Sequence, residues 1–168
     1  MPATVTLEEH HGPTATPTQT NKTSGTIRFK NADNATVDLA DPMVVPTGTA
    51  IDRSYEKIIR ARATGSFTQI TNARAYTDGA NGFGTGVTLL YKTELAYGTP
   101  IEPTADTGFS DIFAAVSATP IDMDHTASPT VTATGAFGRF LTMMMKVAST
   151  ASQGITPSET LTFAWDEI

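Results

Sequence analysis

Between Tyr76 and Thr93 the chain reads YTDGANGFGTGVTLLYKT, with glycines at 79, 82, 84 and 86. Glycine-rich loops beside strands are where many phosphates bind. A Walker-type cradle, however, ends in GK[ST] and runs into a helix whose N-terminus points at the anion. Here Gly86 is followed by VTLL, with no lysine and no helix-forming run, and a dinucleotide-binding loop fails for the same reason. The stretch reads instead as a turn. Asp78-Gly79 and Asn81-Gly82 are dipeptides that tolerate positive φ, and Phe83, flanked by glycines, is expected to stand out at a loop tip. Asn81 and Phe83 are therefore expected to be protein–protein contacts.

Two other clusters carry chemistry-capable side chains: EEHH at Glu8–His11 and DMDH at Asp122–His125. Their carboxylates and imidazoles could share a divalent metal only if the fold joined them. Neighbouring residues on a strand point to opposite faces, so His10 and His11 do not easily hold one ion. Both groups read as solvated polar ends of strands. The sequence contains no G-x-S-x-G elbow and no H-E-x-x-H, and its acidic residues are scattered among threonine-rich turns. No catalytic residue, metal or cofactor is assigned, and the expectation is a protein that is not an enzyme. Cysteine is absent, which removes thiol catalysis and thiolate metal sites. The methionines in FLTMMMKV are expected to fill core rather than form a binding surface.

The elements that must position these groups are short and alternating. ATVTLEE sets Val5 and Leu7 against Thr4, Thr6 and Glu8, as in a half-buried strand. HHGPTATPTQTNKTSG follows, almost without large apolar side chains, and is expected to form an extended arm or long loop. About ten such residues span roughly 30 Å when stretched, enough to lie on a neighbouring molecule, so Pro13 and Pro17 join the expected contacts. TIRFK and ATVDL, joined by NADN, read as a hairpin, and DPMVVPTG as a short edge segment between prolines. SYEKIIRARATGSFTQITNARAY contains two strands around Thr64-Gly65. The first has no cleanly apolar face, which suits an edge or a place under a partner. VTLLYKT is a strand, GFSDIFAAVSATPI favours strand over a short helix, GRFLTMMMKVA is a central strand, and ETLTFAWDEI alternates Leu161, Phe163 and Trp165 inward.

Eight to ten such strands, with no amphipathic helix between them, indicate an all-β chain. The expected fold is an antiparallel β-sandwich, jelly-roll-like. The first strand and arm occupy residues 1–24, and a single sandwich domain 25–168. Charged residues are only 17% of the 168, and the net charge is −6. An acidic chain lacks the basic stripe that displaces counterions from phosphates, so nucleic acid is not an expected partner. The start, MPATVTLEEHHG, has no signal-peptide pattern, and no apolar run approaches membrane length, so a soluble, non-secreted protein without a membrane partner is expected.

ARAYTDGANGFGTGVTLLYKT together with the ending TPSETLTFAWDEI resembles a group of small virion proteins of tailed bacteriophages. In that group a TIRFKNADN…VDL…P segment, a SYEKIIRAR-type strand and a terminal WDEI occur in the same order. The resemblance spans about Gly25 to Ile168 and attaches no functional residues. It implies a homo-oligomeric structural protein of the virion, made in the host cytoplasm. The first expectation is a capsid decoration or cement protein contacting the major capsid protein, the second a neck or tail ring component. A carbohydrate-binding or hydrolytic spike domain is a third, and would need a groove drawn from Tyr55, Tyr76, Tyr91, Tyr97 or Trp165.

Overall fold

The computed structural model describes residues 2–154 and 157–168. Its regular structure is nearly all β, with ten strands and one 3-10 turn among the described residues. The strands are β1 (Thr4–His11), β2 (Thr18–Asn21), β3 (Ile51–Arg53), β4 (Lys57–Thr64), β5 (Ile70–Tyr76), β6 (Val87–Glu94), β7 (Ser110–Asp111), β8 (Ile121–Asp122), β9 (Gly135–Ala148) and β10 (Thr162–Glu167). They pair antiparallel into a large sheet, β2-β1-β4-β9-β6-β7, and a small one, β10-β5-β8. β3 also pairs with β9, at residues 146–148, beyond the end of the β4 pairing.

The apolar phase of each strand sets the inner face. Ile59, Ala61 and Ala63 of β4, Leu141, Met143, Met145 and Val147 of β9, and Val87 and Leu89 of β6 cluster with Ile70, Ala73 and Ala75 of β5 and with Ile121 of β8. The two sheets thus share one core. FLTMMMKV lies at the centre of it through Leu141 and Met143, both almost wholly buried. A bulge in β9 opposite Arg60 lets the Arg139 amide donate to Met123 O at 2.7 Å, a direct backbone tie toward the small sheet. Gly138, at φ 71°, makes that bulge, and a Cβ there would lie 2.7 Å from the same carbonyl.

The opposite face of the large sheet is also buried. Ile58, Leu90, Phe140, Thr142 and Met144 lie in the outward phase yet are shielded from solvent. The irregular segment 95–109 between β6 and β7 meets this face where Tyr97 packs against Phe140, and it forms a strap fastened at several points. Thr14 N and Oγ1 lie 2.9 and 2.8 Å from Thr99 Oγ1, and the Tyr97 hydroxyl donates to Gly12 O at 2.7 Å. The Glu56 amide donates to Ile101 O at 2.9 Å, and Asp106 binds Arg53 at 2.8 Å and Lys146 at 2.6 Å.

Several sequence expectations change. Residues 12–24 are not projected away from the sheet: they turn at 12–17 and return as β2, paired along β1 from Glu8 to His11. β1 in turn pairs with β4, so Thr4–His11 and Thr18–Asn21 are built into the large sheet. The β-hairpin expected over Thr26–Leu39 is absent, and so is the edge segment at Asp41–Gly48; residues 26–50 are irregular. β4 is not an edge strand but sits between β1 and β9. GFSDIFAAVSATPI, expected as a strand, is strand only at Ser110–Asp111 and from Ile121; Ile112–Ala114 form a 3-10 turn, because the Asp111 carboxylate accepts from the Phe113 amide and closes the chain into a turn.

Candidate functional site

Two consecutive β1 residues, Glu9 and His10, point to opposite faces of the large sheet, and both are buried. On the inner face, Glu9 Oε1 lies 3.4 Å from Lys57 Nζ and Oε2 lies 3.5 Å from Lys22 Nζ. Each ammonium also donates to the backbone of the irregular segment. Lys57 reaches Asn34 O at 2.6 Å, and Lys22 reaches Thr26 O at 3.0 Å and Ala35 O at 2.7 Å. Lys30, also buried, pairs with Asp38 Oδ1 at 2.9 Å. Asp33 accepts from the Gly12 amide and Asp52 from the Val44 amide.

These contacts explain why 26–50 forms no ladder. Buried carbonyls must find donors, and here lysine side chains supply them in place of a partner strand. Burial lowers the Lys57 pKa, and the Glu9 carboxylate opposes that shift. The chemistry of the cluster is hydrogen bonding and charge neutralisation, and its effect is to fix the conformation of a long loop. The Ile27, Phe29, Met43 and Val45 side chains pack inward from that loop onto the core. Val37, Leu39 and Val44 point outward, with 52%, 68% and 62% of their surface exposed.

On the outer face, His10 sits beneath the strap. Its ring lies 5.6 Å from Tyr97 and 5.3 Å, edge-on, from Phe140, whose face carries the Arg60 guanidinium at 4.6 Å. Burial lowers the His10 pKa, with Glu8 opposing and Arg60, Arg62 and His11 adding to the effect. Burial likewise pushes the Tyr97 phenol up to about 12, helped by Asp33. His10 is therefore not the solvated strand end that the sequence suggested.

The expected contact residues are dispersed. Pro13 and Pro17 are exposed in the turn between β1 and β2. Asn81 is exposed and organises its own loop, donating to Val87 O at 2.8 Å and accepting from the Phe83 amide at 3.1 Å. Phe83 does not stand out at the tip. It folds inward onto Phe113, centroids 5.9 Å apart, because an apolar ring gains more against the core than in water. Gly79, Gly84 and Gly86 take positive φ, as turn glycines do. Tyr97 reaches from the strap onto the outer face, whereas Trp165 packs beside Phe163 against the core, so these two aromatics do not share a groove. Among the described residues no three His, Asp or Glu side chains group as a metal site, and no helix is long and apolar enough to cross a membrane.

The sequence reading missed Lys22, Lys30 and Lys57, and it named Glu9 only within the Glu8–His11 cluster and Tyr97 only as a groove aromatic, not as buried groups. One signal was present. Glu9 falls in the same alternation phase as Val5 and Leu7, and Lys57 in that of Ile59, Ala61 and Ala63, so a charge stands at an apolar position on each of two strands. Compared with known proteins, the chain matches no family model, no curated protein and no solved structure.

Proposed function

We propose that the chain is a structural protein of a bacteriophage virion, a capsid decoration or cement protein acting through protein–protein contacts. The fold proposed with it is a jelly-roll-like antiparallel β-sandwich. Two antiparallel sheets around one core support that fold, as does a chain that crosses between them at β4–β5, β5–β6, β7–β8, β8–β9 and β9–β10.

The observation that carries the functional reading is the loop bearing Val37, Leu39 and Val44. Three aliphatic side chains are presented to solvent on backbone pinned by buried Lys22, Lys30 and Lys57. Isolated exposed aliphatics are ordinary, but three on one preorganised loop form a surface that binds with little ordering cost. Contact across subunit joints would stabilise the assembled shell by binding it better than its parts.

The test is a V37S/L39S/V44S variant, sedimented with heads and with tails purified separately from the bacteriophage that carries the gene. The parent is expected to bind heads, and the variant to lose that binding while keeping its melting temperature. Equal binding by parent and variant sinks the contact surface. Binding of the parent to tails alone replaces the capsid role with a tail role, and binding to neither refutes the virion reading.

A further inference from the structure

Beneath the strap, His10 presents a problem that its neighbours do not solve. Only 4% of the residue is exposed, and neither Nδ1 nor Nε2 has a hydrogen-bond partner among the described residues. A neutral imidazole hides one donor and one acceptor, whereas an imidazolium hides two donors and a full charge. The box is built for the neutral form. Tyr97 and Phe140 offer ring faces and edges, and Arg60 already places a cation on Phe140.

The charged and titratable groups around the ring come from four elements. β1 contributes Glu8 and His11, and β4 contributes Arg60 and Arg62. The strap contributes Tyr97, whose own surroundings include Asp33. β6 contributes Glu94, opposite Phe140 in register and 3.7 Å from Lys92. The carboxylate best placed to welcome a second cation, Glu8, is already bound to Arg62 at 2.8 Å.

We propose that His10 is an acid-sensitive latch: its neutral ring holds Tyr97 and the strap on the outer face of the large sheet, and protonation releases them. Release uncovers the His10 and Phe140 rings, which Tyr97 covers in the closed form. The strap suits such a motion, because it is irregular chain held by discrete contacts rather than by a ladder.

The direction follows from linkage. Burial holds the ring's proton affinity below its ordinary value, so the open form binds the proton more tightly than the closed form. The closed form is then fully favoured above a pH of about 6.5 and is lost progressively below it. One proton changes the opening equilibrium by at most about tenfold per pH unit.

Hydrogen exchange of the strap amides in the full-length protein, between pH 7.5 and 5 and corrected for intrinsic exchange, reads this equilibrium. Protection across 95–105 is expected to fall as pH drops below about 6.5, no more steeply than that limit. In H10F, which fills the box without titrating, it is expected to stay flat. Unchanged protection in the parent overturns the latch, and so does an equal fall in H10F, which would assign the effect to groups other than His10. If H10F does not fold, the parent's imidazole titration by NMR decides. A His10 midpoint below about 6.5 supports the latch, and one at or above that value refutes it.

Discussion

Replacing Lys57 by methionine tests whether the inner ion cluster organises the loop. The substitution keeps the approximate length of the side chain and removes only the ammonium. Glu9, with its side chain almost wholly buried, is then left with Lys22 at 3.5 Å as its remaining cation, and Asn34 O loses its 2.6 Å donor. Breaking a buried pair by removing one partner costs about 3–5 kcal/mol, because the stranded charge stays out of water. For a chain of this size that corresponds to a fall of roughly 6–20 °C in melting temperature. E9Q should cost a similar amount, since it leaves two ammonium groups facing each other across a neutral amide. The E9L/K57M double variant should cost clearly less than the sum of the single changes, because Lys22 alone is then left without its carboxylate, and it keeps its bonds to Thr26 O and Ala35 O. Urea unfolding followed by fluorescence of Trp165, the chain's one tryptophan, reads all of these. Single losses under about 1 kcal/mol, the range of exposed pairs, would refute the reasoning. Additive losses in the double variant would show that the two residues act separately.

G138A should destabilise the fold by more than the roughly 1–2 kcal/mol of a left-handed non-glycine residue, because its Cβ would also strike Met123 O; thermal unfolding within 0.5 kcal/mol of the parent would show that the bulge can be rebuilt. D106N should loosen the strap by about 1 kcal/mol at neutral pH, a modest figure because Asp106 is partly exposed. Its bond from Lys146, then that from Arg53, hold its carboxyl below the ordinary 3.8, so this stability is present above that pH and disappears as pH falls through the folded value. The gap between parent and D106N in chemical unfolding should therefore close in acid, and a gap that widens would contradict the assignment.

The all-β character was legible because β1, β4, β5, β6, β9 and β10 each carry an apolar phase or an apolar run. β9 was the clearest, since FLTMMMKV is apolar on both faces and the strand is covered on both. The loop at 26–50 was misread because TIRFK and ATVDL alternate as a hairpin would, while the donors that replace the ladder come from Lys22 and Lys57, outside that segment. β4 looked unfit for a sheet interior because sequence does not reveal partners: Lys57 finds Glu9, Arg62 finds Glu8, and Arg60 finds the ring of Phe140. The strap was invisible for another reason. LAYGTPIEPTADTGF has no period, and its fastening is made one residue at a time to distant parts of the chain. Phe83 followed local logic that the core overrode.

The position of β9 sets a timetable for synthesis. β4 and β6 flank it in the large sheet and do not pair with each other, and β3 also depends on it. A ribosome that has made residues 1–134 has therefore released the paired strands β1 and β4, and β6 with β7, and no strand to join the two pairs. Ile59, Ala61, Val87 and Leu89 then wait, apolar and without β9 beside them, until fourteen further residues emerge. Pairings this distant in sequence close slowly, and open strand edges recruit wrong partners in the meantime. The nascent chain should thus be most vulnerable to aggregation just before β9 clears the exit tunnel, and a truncation ending near residue 134 should be insoluble or held by chaperones although most of the chain is present.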